Sequence, residues 1–81
     1  MIRLGKESQL TPAQVMEKAV EFFGGYGLTV LSQDDCCARF EGAGGYVYVQ
    51  SEGTQGKEGT QVIVEGREWE NQIKEFVREK V

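Results

Sequence analysis

The residues of this chain best equipped for chemistry are the adjacent cysteines Cys36 and Cys37, directly preceded by Asp34 and Asp35. Adjacent cysteines admit three arrangements: strand residues pointing to opposite faces, a vicinal disulfide, or part of a metal site. The chain holds no histidine and no further cysteine, so a tetrahedral zinc site within one chain would have to recruit carboxylates alone. Neighbouring cysteines cannot staple distant parts of a chain, and free cysteine commonly serves as a small buried hydrophobe. Structural thiols in a reducing compartment are therefore the expectation, with Cys37 the more reactive if it lies on an open sheet face.

Two glycine-rich stretches invite comparison with phosphate-binding loops. Gly42-Ala43-Gly44-Gly45 departs from the dinucleotide fingerprint: Val47 stands where a third glycine belongs, and a strand follows where a helix should hold the pyrophosphate. A hairpin turn explains it better. Gly56-Lys57 is followed by Glu58 rather than a magnesium-binding Ser or Thr, and residue 51 is serine where a P-loop needs glycine. It reads as a turn. The carboxylates Asp34, Asp35, Glu52, Glu58, Glu65 and Glu68 fall in turns or near a helix start, whereas acid/base catalysis needs a group held in a desolvated cleft. Ser8, Ser32 and Ser51 have no histidine to activate them. The sequence thus predicts no enzyme, no catalytic residue, no metal site and no cofactor.

Tyr46 and Tyr48 carry a different signal. Their i,i+2 spacing puts both rings on one face of a strand, beside Arg39, Cys37 and Ile63 on neighbouring strands, and tyrosine and arginine are enriched at interface hot spots. The same rings could stack on single-stranded bases. Nine basic against thirteen acidic residues give a net charge of −4, however, and phosphate binding needs several cations on one face. No nucleic acid is expected as a partner. Nor is a membrane, since the chain has no polybasic segment to meet an anionic leaflet, no apolar run of about 20 residues, and no apolar signal-peptide core among its first ten residues. A soluble cytoplasmic protein is the expectation.

The elements that must position these residues follow from periodicity. Residues 2 to 10 suit a short strand at a sheet edge. Thr11, Pro12 and Gln14 form a helix start: the threonine accepts an orphan N–H, proline suits the first helical position, and glutamine reaches back to complete a capping box. Val15, Met16, Ala19, Val20, Phe22 and Phe23 then recur at helical spacing, and Gly24-Gly25 should close a helix over 12 to 24 through the left-handed conformation open to glycine. Four strands are predicted at 27 to 33, 36 to 42, 45 to 51 and 59 to 65, joined by connections too short for parallel crossovers. Alternation places Leu28, Val30, Cys36, Ala38, Phe40, Val47, Val49, Val62 and Val64 beneath the helices. Thr29, Leu31, Cys37, Arg39, Tyr46, Tyr48, Gln61 and Ile63 take the other face. From Arg67 to the end, Trp69, Ile73, Phe76 and Val77 form one helical stripe, with acids near its start and bases near its end as the helix dipole favours.

One α+β domain over residues 1 to 81 results: (β)-α-β-β-β-β-α, a single antiparallel sheet with both helices on one face. That order resembles one repeat of the TATA-binding-protein-like fold, and a long final helix on a curved antiparallel sheet is similar to a reduced helix-grip fold. The resemblance covers topology, carries no sequence motif and transfers no functional residue. A sheet covered on one side leaves Leu31, Cys37, Arg39, Tyr46, Tyr48 and Ile63 on the other, an association surface expected to form a homodimer. The alternative expectation is a small apolar ligand between the sheet and the C-terminal helix, near Trp69 and Phe76.

Overall fold

A computed structural model describes residues 1–53 and 59–81. The turn predicted at Gly56-Lys57, Glu58 and most of the connection between the third and fourth predicted strands lie outside the described residues. The element order is β1 (Ile2–Ser8), α1 (Pro12–Gly25), β2 (Thr29–Gln33), β3 (Cys37–Gly42), β4 (Gly45–Gly53), β5 (Thr60–Arg67) and α2 (Glu70–Glu75), the last continued by a π-helical turn over Phe76–Lys80. The five strands form one sheet in the order β1-β5-β4-β3-β2, and every neighbouring pair is antiparallel.

Both helices cover the same face. Along β4, buried Val47, Val49 and Ser51 alternate with Tyr46, Tyr48 and Gln50, and along β5 buried Val62 and Val64 alternate with Ile63 and Glu65. The buried set joins Ala38 and Phe40 of β3, Val15, Met16, Ala19 and Phe23 of α1, and Ile73 and Phe76 of the C-terminal segment. Phe23 is the hub, its ring centroid 5.4 Å from that of Phe40 and 5.1 Å from that of Phe76. Tilted aromatic pairs at such distances add about 0.5–1.5 kcal/mol each beyond the area they bury. The helix stripe and the strand alternation therefore converge on one layer of side chains.

The predicted start of α1 forms as its residues require. The Gln14 N–H donates to Thr11 Oγ1 at 3.2 Å, and the Thr11 N–H donates to Gln14 Oε1 at 2.9 Å. Its end differs from expectation. The helix runs through Gly24 and Gly25 to a cap at Tyr26, and the left-handed glycine is Gly27, with φ +89°. The Leu28 N–H reaches Phe23 O and the Gly27 N–H reaches Gly24 O, the paired bonds of a Schellman ending. Placing the left-handed residue at Gly27, just after the cap, lets Leu28 turn back into the core, where it is buried.

The C-terminal segment begins later than its sequence stripe suggests. β5 continues to Arg67, which pairs with Tyr46, so Arg67 is strand and α2 opens only after Trp69. Within β5, Gly66 admits the crossing of α2: a Cβ there would stand 2.8 Å from Ile73 Cδ1 and would collide with the Tyr46 carbonyl. Beyond Glu75 the wider π turn carries Phe76 into the core and lets Val77 and Val81 pack against it.

β2 departs most from its predicted role. Val30 pairs with Phe40 and Ser32 with Arg39, leaving Leu31 as the extra residue of a bulge. All five residues of β2 are exposed, Val30 included, although alternation placed Val30 in the core. β2 is the last strand of the sheet, and the core next to it is filled by Leu28, just before the strand begins.

Candidate functional site

The face opposite the helices is covered by nothing else among the described residues. Its composition follows from strand register. Reading across the sheet from β1 to β2, one row runs Arg3, Glu65, Tyr48, Arg39 and Ser32. The row on one side of it holds Arg67, Tyr46, Glu41 and Thr29, and the row on the other holds Gly5, Ile63, Gln50 and Cys37. The two tyrosines thus form a spine on the central strand, flanked by arginines and carboxylates.

Between these side chains lies a groove of about 420 Å³ lined by Leu31, Arg39, Tyr46, Tyr48 and Glu65. The Arg39 guanidinium carbon stands 4.8 Å from the centre of the Tyr48 ring, a cation–π stack worth about 0.5–1 kcal/mol at an exposed site. Tyr46 is more exposed, and its hydroxyl lies 3.3 Å from Met1 Sδ. Leu31, at 57% exposure, reaches the groove because the bulge releases it from strict alternation. Four of the six residues expected to form an association surface, Leu31, Arg39, Tyr46 and Tyr48, therefore meet at one groove. Ile63 and Cys37 lie one row away and are half-buried.

Sequence reasoning missed Glu65, Glu41 and Arg67. Glu65 closes the strand predicted over 59 to 65 and counts there only as one of the acids near a helix start, whereas it faces the groove from a strand that ends two residues later, at Arg67. The alternation Val62, Ile63, Val64, Glu65, Gly66, Arg67 was the signal that could have extended it.

Cys36 and Cys37 do not behave as two strand residues facing opposite sides. Cys36 sits in the exposed turn before β3 rather than in the core, and its sulfur is joined to that of Cys37 as a vicinal disulfide. Asp34 organises this turn. Its Oδ1 accepts the N–H of Cys36 at 2.9 Å and that of Cys37 at 2.8 Å, while the Asp34 N–H donates to Cys37 O at 2.9 Å. On the other side, the Ser51 N–H donates to Cys36 O at 2.7 Å. Asp34 Oδ1 stands 3.3 Å from Cys36 Sγ, and the ligand atoms of Asp34, Cys36 and Cys37 all fall within 4.8 Å of one another. Reduced, the turn would present two thiols and a carboxylate; oxidised, it is a stiff corner.

Trp69 and Phe76, the anchors expected for an apolar ligand, are engaged in packing. The Trp69 indole N–H donates to Gly42 O at 2.8 Å. Phe76 has no exposed surface and touches the rings of Phe22 and Phe23. Nearby, the Tyr26 hydroxyl donates to Glu75 Oε2 at 3.3 Å. The negative charge of Glu75, then partial burial, then that hydrogen bond hold the Tyr26 phenol above its ordinary range. No described helix is long and apolar enough to cross a membrane. Compared with known protein families and with curated proteins, the chain matches none of them.

Proposed function

We propose that this domain is a small non-catalytic interaction module that self-associates through the sheet face opposite its helices, forming a homodimer in the cytoplasm. One observation carries the reading: the Tyr46–Tyr48 spine, the Arg39 stack and Leu31 converge on a groove at the centre of that face. Antiparallel sheets often leave one face to water, but such a face is normally polar throughout. Here its centre holds aromatic rings, with arginines and carboxylates around them, the distribution of a docking surface rather than of a solvated one.

The size of the face sets the expected strength. Five strands at about 4.8 Å spacing and some seven residues at about 3.3 Å rise give roughly 500 Å² per copy. That is below the roughly 800 Å² per partner of a standard stable interface, so the dimer is expected to hold in the micromolar range. Tyr48→Asp places a charge at the centre of the contact and should leave a monomer with unchanged helical content. Sedimentation velocity at tens of micromolar decides the matter: an unaltered mass for this variant removes the face from consideration.

A further inference from the structure

The arrangement of charge about β4 says more than that the face is sticky. To one side of the tyrosine spine, on β5, stand Glu65 beside Tyr48 and Arg67 beside Tyr46. To the other side, on β3, stand Arg39 beside Tyr48 and Glu41 beside Tyr46. At both levels the two flanking positions carry opposite charges, and the order of signs reverses from one level to the next. A pattern of this kind is its own complement under a two-fold axis lying between two such faces, whether along the strands or across them.

We infer that the partner is a second copy docked face to face about a two-fold axis running nearly along β4, so that Glu65 meets the partner's Arg39 and Arg67 meets the partner's Glu41. The inference rests on the self-association reading above and specifies its geometry. Rotation about an axis lying between the two sheets exchanges the β3 and β5 sides while leaving each level in place. Tyr46 then faces the partner's Tyr46, Tyr48 faces the partner's Tyr48, and Gln50 faces the partner's Gln50. Every flanking contact is a carboxylate against a guanidinium. Because the operation is a two-fold, each of the two pairs occurs twice, giving four opposed pairs around an aromatic centre.

The twist of real sheets does not spoil the match. Aligned sheet packing rotates one sheet by about 30° relative to the other, which a two-fold inclined by about 15° to β4 provides. Centred between Tyr46 and Tyr48, the four charged positions lie about 6 Å from the axis point, given strand spacing and residue rise. A 30° rotation at that radius offsets partners by about 3 Å, within the reach of arginine and glutamate side chains. Arg39, Arg67 and Glu41 are exposed and Glu65 is half-buried, so all four can reorient. An axis perpendicular to the sheet cannot bring these faces together at all. One lying across the strands also opposes charges, Glu65 to the partner's Arg67 and Arg39 to the partner's Glu41, but centred between the tyrosines it leaves the row of Ile63, Gln50 and Cys37 beyond the hairpin end of the partner's sheet, whereas the axis along β4 overlaps all three rows and sets Ile63 against the partner's Cys37.

Charge exchange tests the geometry separately from the association. Arg39→Glu alone sets two carboxylates against each other twice per dimer, and Glu65→Arg alone does the same with two cations. Each variant by itself should dimerise at least tenfold more weakly than the unaltered chain. An equimolar mixture should regain the unaltered affinity, because in the heterodimer every one of these contacts is again a carboxylate against a cation. Analytical ultracentrifugation with one variant carrying a fluorophore reads all these states, and circular dichroism confirms that each variant folds. Glu41→Arg with Arg67→Glu provides an independent second pair should either first variant fail to fold. If the unaltered chain dimerises and Tyr48→Asp dissociates it, but neither mixture binds more tightly than its components, the axis is wrong and the docking face stands. An unaltered chain that stays monomeric at several hundred micromolar overturns both.

Discussion

Replacing Phe76 with alanine would remove the ring that joins the C-terminal segment to α1. Phe76 is fully buried, with ring centroids 5.5 Å from Phe22 and 5.1 Å from Phe23. Truncating a buried phenylalanine costs about 3–5 kcal/mol through lost transfer energy and the cavity left behind. Two lost aromatic contacts place the variant in the upper part of that range. A chain of 81 residues has a total stability of only about 4–12 kcal/mol at 0.05–0.15 kcal/mol per residue. Phe76→Ala should therefore lose between about a third and all of the chain's stability in the absence of denaturant. Phe76→Leu, which keeps most of the volume, should cost about 1–2 kcal/mol, a loss that urea denaturation followed by Trp69 fluorescence can measure. At an m-value near 1 kcal/mol/M, the midpoint would fall by about 1–2 M. If Phe76→Ala costs less than about 1.5 kcal/mol with an unchanged m-value, the segment after Glu75 is not docked on the sheet, and the reasoning that both helices share one core fails.

Ala43 and Gly44 both have positive φ, +50° and +78°, as a type I′ hairpin turn requires. Alanine is strained there, so Ala43→Asn, which supplies the residue such turns prefer, should raise the melting temperature by about 3–6 °C, corresponding to about 0.5–1 kcal/mol. Asp34→Ala removes the acceptor of two backbone N–H groups and should destabilise by about 1–2 kcal/mol, whereas Asp34→Asn keeps an oxygen in place and should cost less; equal losses would show that those bonds contribute little. The raised phenol of Tyr26 binds its proton more tightly in the folded protein, so its contribution is complete below the unfolded value near 10 and is lost as pH rises through the folded value. Denaturation between pH 9.5 and 11.5 should accordingly show the unaltered chain losing more stability than Tyr26→Phe, and parallel curves would refute the Glu75 contact.

Much of the fold was legible because local chemistry and global packing agree. Thr11, Pro12 and Gln14 specify a helix start in three residues, and β3, β4 and β5 alternate cleanly because each has one dry face. What the sequence concealed depends on partners distant in the chain. The bulge at Leu31 exists only relative to β3, so no periodicity within residues 29 to 33 could announce it. Gly24, Gly25 and Gly27 are all able to close α1, and the choice of Gly27 is made by the depth at which Leu28 enters the core. Arg67 looked helical because acids and bases surround it, yet its pairing with Tyr46 extends β5 and brings Arg67 itself beside the tyrosines. The candidate site was half legible for the same reason: aromatic residues on one strand can be counted from sequence, while the charges that flank them across strands need the register.

At Leu31 the row of backbone donors and acceptors on the outer border of the sheet loses its even spacing, and the opposite border, β1, carries exposed Arg3 and Glu7. Strands from other molecules need a regular, uncharged border to attach. Attachment there could continue without limit, as it does in fibrils, whereas apposition of two flat sides uses up both and stops. A single surplus residue thus tips the molecule away from open-ended growth at that border.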